Sequence, residues 1–339
     1  MPAALDSRSF FCQDRRRGTA ATGDAAVEEI YAGPKAALRP IHDRVMQAIE
    51  QLGPFEIAPS SELAPTLGAA PSVTIAGSTM QARLEGSRLA AVVLAVFVAY
   101  WFLEELLVLV PGYRGLFDRF EYYVPRSLLS VAEIALVLLA VCWLHRLGPP
   151  SGLRELGLRS PAARAGGFGL VATAPMWLVF AATHDFAPDP VPELLYGSLL
   201  SPLAEELVFR GFLFGQLWRR AGWGLWPALA VSSLAFGYGH AEDAARLTEG
   251  LGLLAVTALG AAIFAWLYSR WGTLVAPLAL HVLMNASWGL WQVGDGALAG
   301  WVPFALQLTT VTLAIVLTLM AAKRGWMAAA DDSATAPVL

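Results

Sequence analysis

The stretch LAAVVLAVFVAYWFL, residues 89–103, carries no charged side chain and none of the polar alternation of a half-buried strand, and its reading decides the fold. The hydrocarbon core of a bilayer is about 30 Å thick, and roughly 20 helical residues cross it. Working outward from this run, apolar stretches recur with short polar breaks at 89–110, 127–145, 166–183, 202–218, 224–240, 250–270, 273–291 and 299–321. In lipid the backbone must satisfy its own hydrogen bonds, which leaves helices or a closed barrel. Long unbroken apolar runs exclude the barrel. The expectation is an all-α fold, a polytopic membrane helix bundle of about eight transmembrane helices.

Composition agrees. Of 339 residues, 56% are hydrophobic and 15% charged, with a mean hydropathy of +0.55, whereas a soluble domain carries roughly a quarter charged residues. Lipid is therefore the expected solvent and the bilayer the first partner. A net charge of −4 without a basic, aromatic-laced stripe excludes a nucleic-acid footprint. The two cysteines, Cys12 and Cys142, cannot build a disulfide framework or a cysteine zinc site. Met1 to Arg17 lacks the apolar core of a secretory signal, so insertion is expected to use the later spans.

Residues 1–87 are polar and punctuated by Pro and Gly, with one amphipathic helical pattern from about Val27 to Leu52, and read as a short soluble N-terminal appendage with linker. Residues 88–323 form the membrane domain, and 324–339 a disordered C-terminal tail. Basic residues set the orientation. With a cytoplasmic N-terminus the inner loops hold Arg146, Arg154, Arg159, Arg164, Arg219, Arg220, Arg270, Lys323 and Arg324, and the outer ones only Arg114, Arg119, Arg126 and Arg246. This places both termini of an integral, multi-pass cell-membrane protein in the cytoplasm. Gly152 to Arg164 reads as an interfacial segment, and Trp143, Trp223, Trp271, Trp291 and Trp301 as an aromatic belt.

Ionisable groups are expensive at membrane depth, which makes each a functional candidate. The fourth span contains Ser201-Pro202-Leu203-Ala204-Glu205-Glu206-Leu207-Val208-Phe209-Arg210, the fifth ends Phe236-Gly237-Tyr238-Gly239-His240, and the seventh holds His281-Val282-Leu283-Met284-Asn285. Glu206 and Arg210 are four apart with the acid first, the favourable order for an ion pair, and are assigned to structural neutralisation. Glu205, rotated about 100° away, lacks that partner and is the expected general base. His281 and Asn285 share one helix face. The amide donates to an oxyanion without titrating, and the imidazole donates beside it or shuttles a proton to the leaving amine. His240, flanked by Gly237 and Gly239, sits where a backbone can approach closely.

The ordered set Glu-Glu-x-x-x-Arg, Phe-x-x-x-His and His-x-x-x-Asn on successive spans resembles the CAAX prenyl protease and bacteriocin-processing family, the Rce1-like intramembrane proteases. The likeness covers roughly residues 89–321, and all three motifs match. It implies an eight-helix endopeptidase acting on a peptide or membrane-protein substrate. Glu205, Glu206, His240, His281 and Asn285 would be its catalytic residues, with Glu205 and His240 activating water, His281 and Asn285 stabilising the tetrahedral intermediate, Glu206 bracing its helix against Arg210, and Phe236 packing the motif.

Two readings of the cofactor stay open. Glu205, His240 and His281 are a donor set for a divalent metal such as zinc, which would make this a metalloprotease. A metal-free glutamate protease leaves Asn285 most naturally as oxyanion donor. The competing function is non-catalytic, a bacteriocin-immunity or peptide-binding factor, because a single membrane histidine or asparagine more often joins two helices than it catalyses. A transporter would show a repeat between halves, and none is visible. Glu104, Glu105 and Glu133 match no motif and are expected at an interface or paired with an arginine such as Arg126 or Arg146. His145 and His184 are expected at the interface too. Pro175, Pro277 and Pro303 are expected to kink or interrupt their helices.

Overall fold

The computed structural model describes residues 75–326 apart from 121, 160–161, 243, 245, 292 and 294–299. The appendage up to residue 74 with its 27–52 helix, Cys12, His42, Asp295 and the tail from 327 lie outside the described residues. Contacts divide the chain into Met1–Pro71 and Ser72–Leu339, and every described residue belongs to the second unit.

That unit is helical, with no strand among the described residues. Helix α1 runs Ile75–Trp101, α2 Leu103–Val108, α3 Arg114–Arg119, α4 Tyr123–His145, α5 Pro149–Glu155 and α6 Ala162–Thr183. Val191–Leu195, Tyr196–Leu200, Ser201–Glu205, Glu206–Phe214 and Gly215–Arg219 follow without a break as α7, its second and fourth pieces π-helical. Helix α8 is Leu225–Ala241, α9 Leu247–Trp271, α10 Val275–Trp291 and α11 Trp301–Lys323.

Among the described residues, five stretches are long and apolar enough to cross a membrane: Leu84–Trp101, Tyr123–His145, Ala163–Thr183, Leu247–Trp271 and Trp301–Lys323. Large apolar side chains face outward from them, Leu139 at 67%, Leu178 at 71% and Leu259 at 63% exposure, the inverted surface of a protein solvated by lipid. The three remaining long helices, α7, α8 and α10, carry the motifs. Helices α8 and α10 have 17 residues each, about 26 Å, and α7 carries five charged residues, Glu193, Glu205, Glu206, Arg210 and Arg219.

Helix α7 is the axis of the fold. Every residue from Glu206 to Leu217 is buried, as expected of a helix enclosed on all sides. Phe209 receives the edges of Phe97 and Tyr100 from α1 and of Phe236 from α8, at centroid distances of 5.6, 5.7 and 5.0 Å. Small residues bring backbones together elsewhere. A Cβ on Gly237 of α8 would lie 2.8 Å from the Leu254 carbonyl oxygen of α9, and one on Gly169 of α6 2.8 Å from the Cβ of Ala279 of α10.

Several boundaries differ from the sequence reading. The expected first span, 89–110, starts earlier and ends at Trp101, because Glu104 turns aside to accept a 2.8 Å hydrogen bond from Arg126 Nη1 at the head of α4. Helix α7 begins at Val191, eleven residues before the expected start at 202, since the π-turn before Pro202 lets the helix run through it. Pro277 and Pro303 interrupt nothing. They stand in the first turns of α10 and α11, where a missing N–H is harmless. Pro175 lies inside α6, which continues on both sides of it.

Candidate active site

The two acids leave α7 from a distorted segment. Pro202 has no N–H to give, and its ring crowds the carbonyl four residues back, which the wider turn Tyr196–Leu200 accommodates. A second π-helical stretch begins at Glu206. Glu206 is fully buried and Arg210 is 2% exposed, with Arg210 Nη1 3.2 Å from Glu206 Oε1. Aromatic rings complete the cation's surroundings. Its guanidinium carbon lies 4.2 Å from the centroid of Phe236 and 5.4 Å from that of Phe264.

Glu205 differs from its neighbour in every respect. It is a quarter exposed, pairs with no arginine among the described residues, and accepts a 2.8 Å hydrogen bond from Ser201 Oγ at Oε1. Its other oxygen, Oε2, faces Nε2 of His281 across 3.8 Å, too long for a direct hydrogen bond. The opposite side of the same imidazole is tied down, with Nδ1 3.0 Å from Glu206 Oε1. Glu206, ionised against Arg210, can only accept, so Nδ1 carries the proton and donates it, which leaves the lone pair on Nε2. One ring thus links the two carboxylates, and the edge-on face of Phe264 at 5.6 Å fixes its plane.

Asn285, one turn along α10, donates from Nδ2 to the Gly197 carbonyl at 3.0 Å. An amide has two N–H groups, so this bond orients the side chain and leaves the second one available. His240 stands apart from Glu205. It is exposed at the end of α8, its Nδ1–H donates 3.0 Å to the Phe236 carbonyl, and its ring lies 4.4 Å from that of Phe236. Among the described residues it makes no ion pair with Glu205. Its connection runs through rings and charges, from His240 to Phe236 to Arg210 to Glu206 to His281.

Among the described residues no three His, Cys, Asp or Glu side chains gather as a metal site. Glu205, His240 and His281 do not gather around a common point in this arrangement; the Nδ1–H of His240 goes to the Phe236 carbonyl, so Nε2 is the atom with which it would ligate.

Sequence reasoning missed Ser201 and Gly197, the groups that orient Glu205 and Asn285. Ser201 was legible as the residue four before Glu205. Gly197 contributes only a carbonyl, which no sequence pattern marks. Glu133 of α4 lies within electrostatic reach of Glu205 and makes no ion pair among the described residues, unlike Glu104, whose pairing with Arg126 was expected. His145, expected at the interface, donates from Nε2 to Gln216 Oε1 at 2.7 Å.

Residues 187–287 match the family described as "Type II CAAX prenyl endopeptidase Rce1-like". The segment that builds the site is similar to that family. It contains Glu205, Glu206, Arg210, Phe236, His240, His281 and Asn285. Over 92 residues, 27% of this chain, the protein is 34% identical to "Putative membrane peptidase YdiL" of Bacillus subtilis (strain 168). The chain spans about a third of that relative's length, 34%. No solved structure matches.

Proposed function

We propose that this protein is an intramembrane endopeptidase of the CAAX-protease type, multi-pass in the cell membrane with both termini cytoplasmic, in which Glu205 and His281 activate water against a peptide bond. The observation that carries the reading is the 3.8 Å gap between Glu205 Oε2 and His281 Nε2. One atom on each side is free to accept, while the far side of each group is already held, by Ser201 and by Glu206.

A water molecule placed against both acceptors is oriented and loses a proton to Glu205 as its oxygen attacks the scissile carbonyl carbon. The carbonyl oxygen becomes an oxyanion and takes the second N–H of Asn285. Collapse breaks the C–N bond, and the proton held by Glu205 passes to the leaving nitrogen, giving an amine and a carboxylic acid, whose remaining proton then passes to the amine to leave a carboxylate and an ammonium group. Glu206 and Arg210 keep the imidazole in one tautomer throughout. His240 enters this scheme by a movement of α8, since catalytic contacts are often long in a free enzyme and tighten around substrate.

The Rce1-like match and the resemblance to a protein named a membrane peptidase support a peptide as substrate. The test compares membrane-derived peptides in cells making the wild-type protein with those making Glu205→Gln. Cleavage products present only with the wild type are expected. Identical products from both would remove the base and favour the non-catalytic, peptide-binding reading.

A further inference from the structure

A cavity of about 390 Å³ opens between the first turns of α6 and the last turns of α9 and α11, a volume within the range of ligand sites. Arg164, Phe168 and Val171 recur at helical spacing on one face of α6, so the opening runs about 10 Å along that helix, from a charged end to an apolar one. Its floor belongs to the core shared by α6, α9 and α11. There the rings of Phe168 and Trp271 meet at 4.9 Å, and Trp271 Nε1 donates 3.0 Å to Thr318 Oγ1. Gly167 keeps the wall low, and a Cβ there would meet nothing within 4 Å.

Helix α11 builds the charged end. It closes in a Schellman turn, in which Gly325, at φ +63°, donates 3.1 Å to the Ala322 carbonyl and Trp326 N–H donates 3.0 Å to that of Ala321. The turn folds Trp326 back beside Ala321, and both line the opening. Two guanidinium groups flank this tryptophan. Arg164 Nη1 donates 3.3 Å to its carbonyl, and the guanidinium carbon of Arg324 lies 4.9 Å from its ring centroid. Neither arginine forms an ion pair among the described residues, and each keeps N–H groups for a ligand.

We infer that this cavity binds an anionic phospholipid, its phosphate between Arg164 and Arg324 and an acyl chain along Gly167, Val171 and Leu317. The order of side chains along the helices is the order of groups in such a lipid. Guanidinium groups come first, then the indole of Trp326 at headgroup level, then apolar walls. A guanidinium takes two phosphate oxygens at once, whereas the cation of a zwitterionic headgroup is repelled by the same two arginines. A soluble anion would leave the apolar half unfilled. With both termini cytoplasmic, as proposed above, the arginines face the leaflet whose surface potential is negative. No lining residue is one proposed to act on the peptide bond, so the site stands apart from the proteolytic reading.

The test uses the full-length protein in phosphatidylcholine nanodiscs doped with photoreactive phosphatidylglycerol, or with phosphatidylcholine carrying the same photoreactive chain. The anionic lipid is expected to label residues 164–171 or 317–326 about tenfold more than the zwitterionic one. Arg164→Gln combined with Arg324→Gln is expected to remove that difference, and since both side chains are exposed the variant is expected to fold. Arg270→Gln serves as the control, because this guanidinium turns to the Trp266 ring at 5.7 Å, and the difference is expected to survive it. Gly167→Trp fills the opening and is expected to abolish labelling of the groove by both lipids. Equal labelling by the two lipids overturns the site, as does a preference that the paired arginine variant keeps or that Arg270→Gln removes equally. Displacement of the anionic lipid by inorganic phosphate overturns it in favour of a soluble anion. Asp331 and Asp332 lie outside the described residues, and a preference seen only after Asp331→Asn with Asp332→Asn overturns it in favour of the chain's own acidic tail.

Discussion

Glu206 holds His281 by its Nδ1–H over 3.0 Å, and the same carboxylate oxygen lies 3.2 Å from Arg210. The acid assigned by spacing to structural neutralisation therefore also sets the tautomer of the imidazole beside Glu205. Its second oxygen, Oε2, has no hydrogen-bond partner among the described residues, so Arg210 is its main compensation. Removing one member strands a buried charge, which costs about 3–5 kcal/mol, whereas removing both is far less damaging. Glu206→Gln and Arg210→Met are expected to lower thermal stability strongly when made singly, and the double variant to recover most of it. Activity is expected to stay lost in the double variant, since His281 has no anchor. Recovery of cleavage together with stability would reduce Glu206 to a purely structural residue.

Glu205→Gln separates chemistry from folding. A glutamine keeps a carbonyl oxygen for the Ser201 hydroxyl, and Glu205 is already a quarter exposed, so thermal stability is expected within about 1 kcal/mol of wild type. Loss of the general base is expected to slow cleavage by about 10²–10⁴-fold. Residual cleavage within tenfold of wild type, measured on purified protein, would exclude Glu205 as base.

The bundle was legible because lipid imposes a single rule, long apolar runs, and the five stretches able to cross a membrane fall on runs read from the sequence. Three motif helices were also located, since charge in an apolar run is costly and therefore conspicuous. Local geometry was not legible. The rotation of about 100° between Glu205 and Glu206 presumes an α-helix, yet α7 turns π-helical at Glu206, and a wider turn changes which residues share a face. Pairing across helices was hidden for a related reason. Nothing in the spacing tells whether His240 or His281 meets Glu205, because that depends on how far α8 extends beyond the site, and there His240 bonds to its own helix.

Metal dependence follows from the same geometry. As Glu205, His240 and His281 do not converge, cleavage is expected to persist after exhaustive dialysis against a chelator. His281→Ala is then expected to be at least as damaging as His240→Ala, since His281 is the ring beside Glu205. Activity lost on dialysis and restored by zinc alone would show that α8 moves His240 into a shared donor set in the working state.

Outside the membrane-spanning segments, Glu155 ties α5 to the end of α7. It is 6% exposed and receives Arg220 Nε and Nη2 at 2.9 and 2.7 Å and Gln216 Nε2 at 3.2 Å, with Arg219 close by. Burial alone would raise its pKa, but the Arg220 hydrogen bonds and the two guanidinium charges outweigh burial and hold the carboxyl at about 2. An unfolded glutamate titrates near about 4.3. The folded value is depressed, so the stabilisation is complete above the unfolded value and is lost as pH falls toward 2. Thermal stability of the wild type is expected to decline between about pH 4 and pH 2, and Glu155→Gln to be less stable at neutral pH with a shallower acid limb. Parallel acid limbs would assign the decline to other carboxylates.

Gly211 tests whether the π-helical course of α7 positions the acids. A Cβ at this residue would lie 2.6 Å from the Leu156 carbonyl oxygen and 3.1 Å from Leu274 Cδ1, so backbone would have to move, and Leu156 is fixed by its own bond to Gly152. Gly211→Ala normally favours an α-helix by about 1 kcal/mol, yet overpacking of this kind costs about 1–3 kcal/mol. The net expectation is a modest loss of stability. Glu206 and Arg210 lie in the same π-helical stretch, so a shift of α7 there also moves the anchor of His281 and is expected to lower cleavage more than stability. Wild-type cleavage by a destabilised Gly211→Ala protein would show that the site tolerates a change in the course of α7.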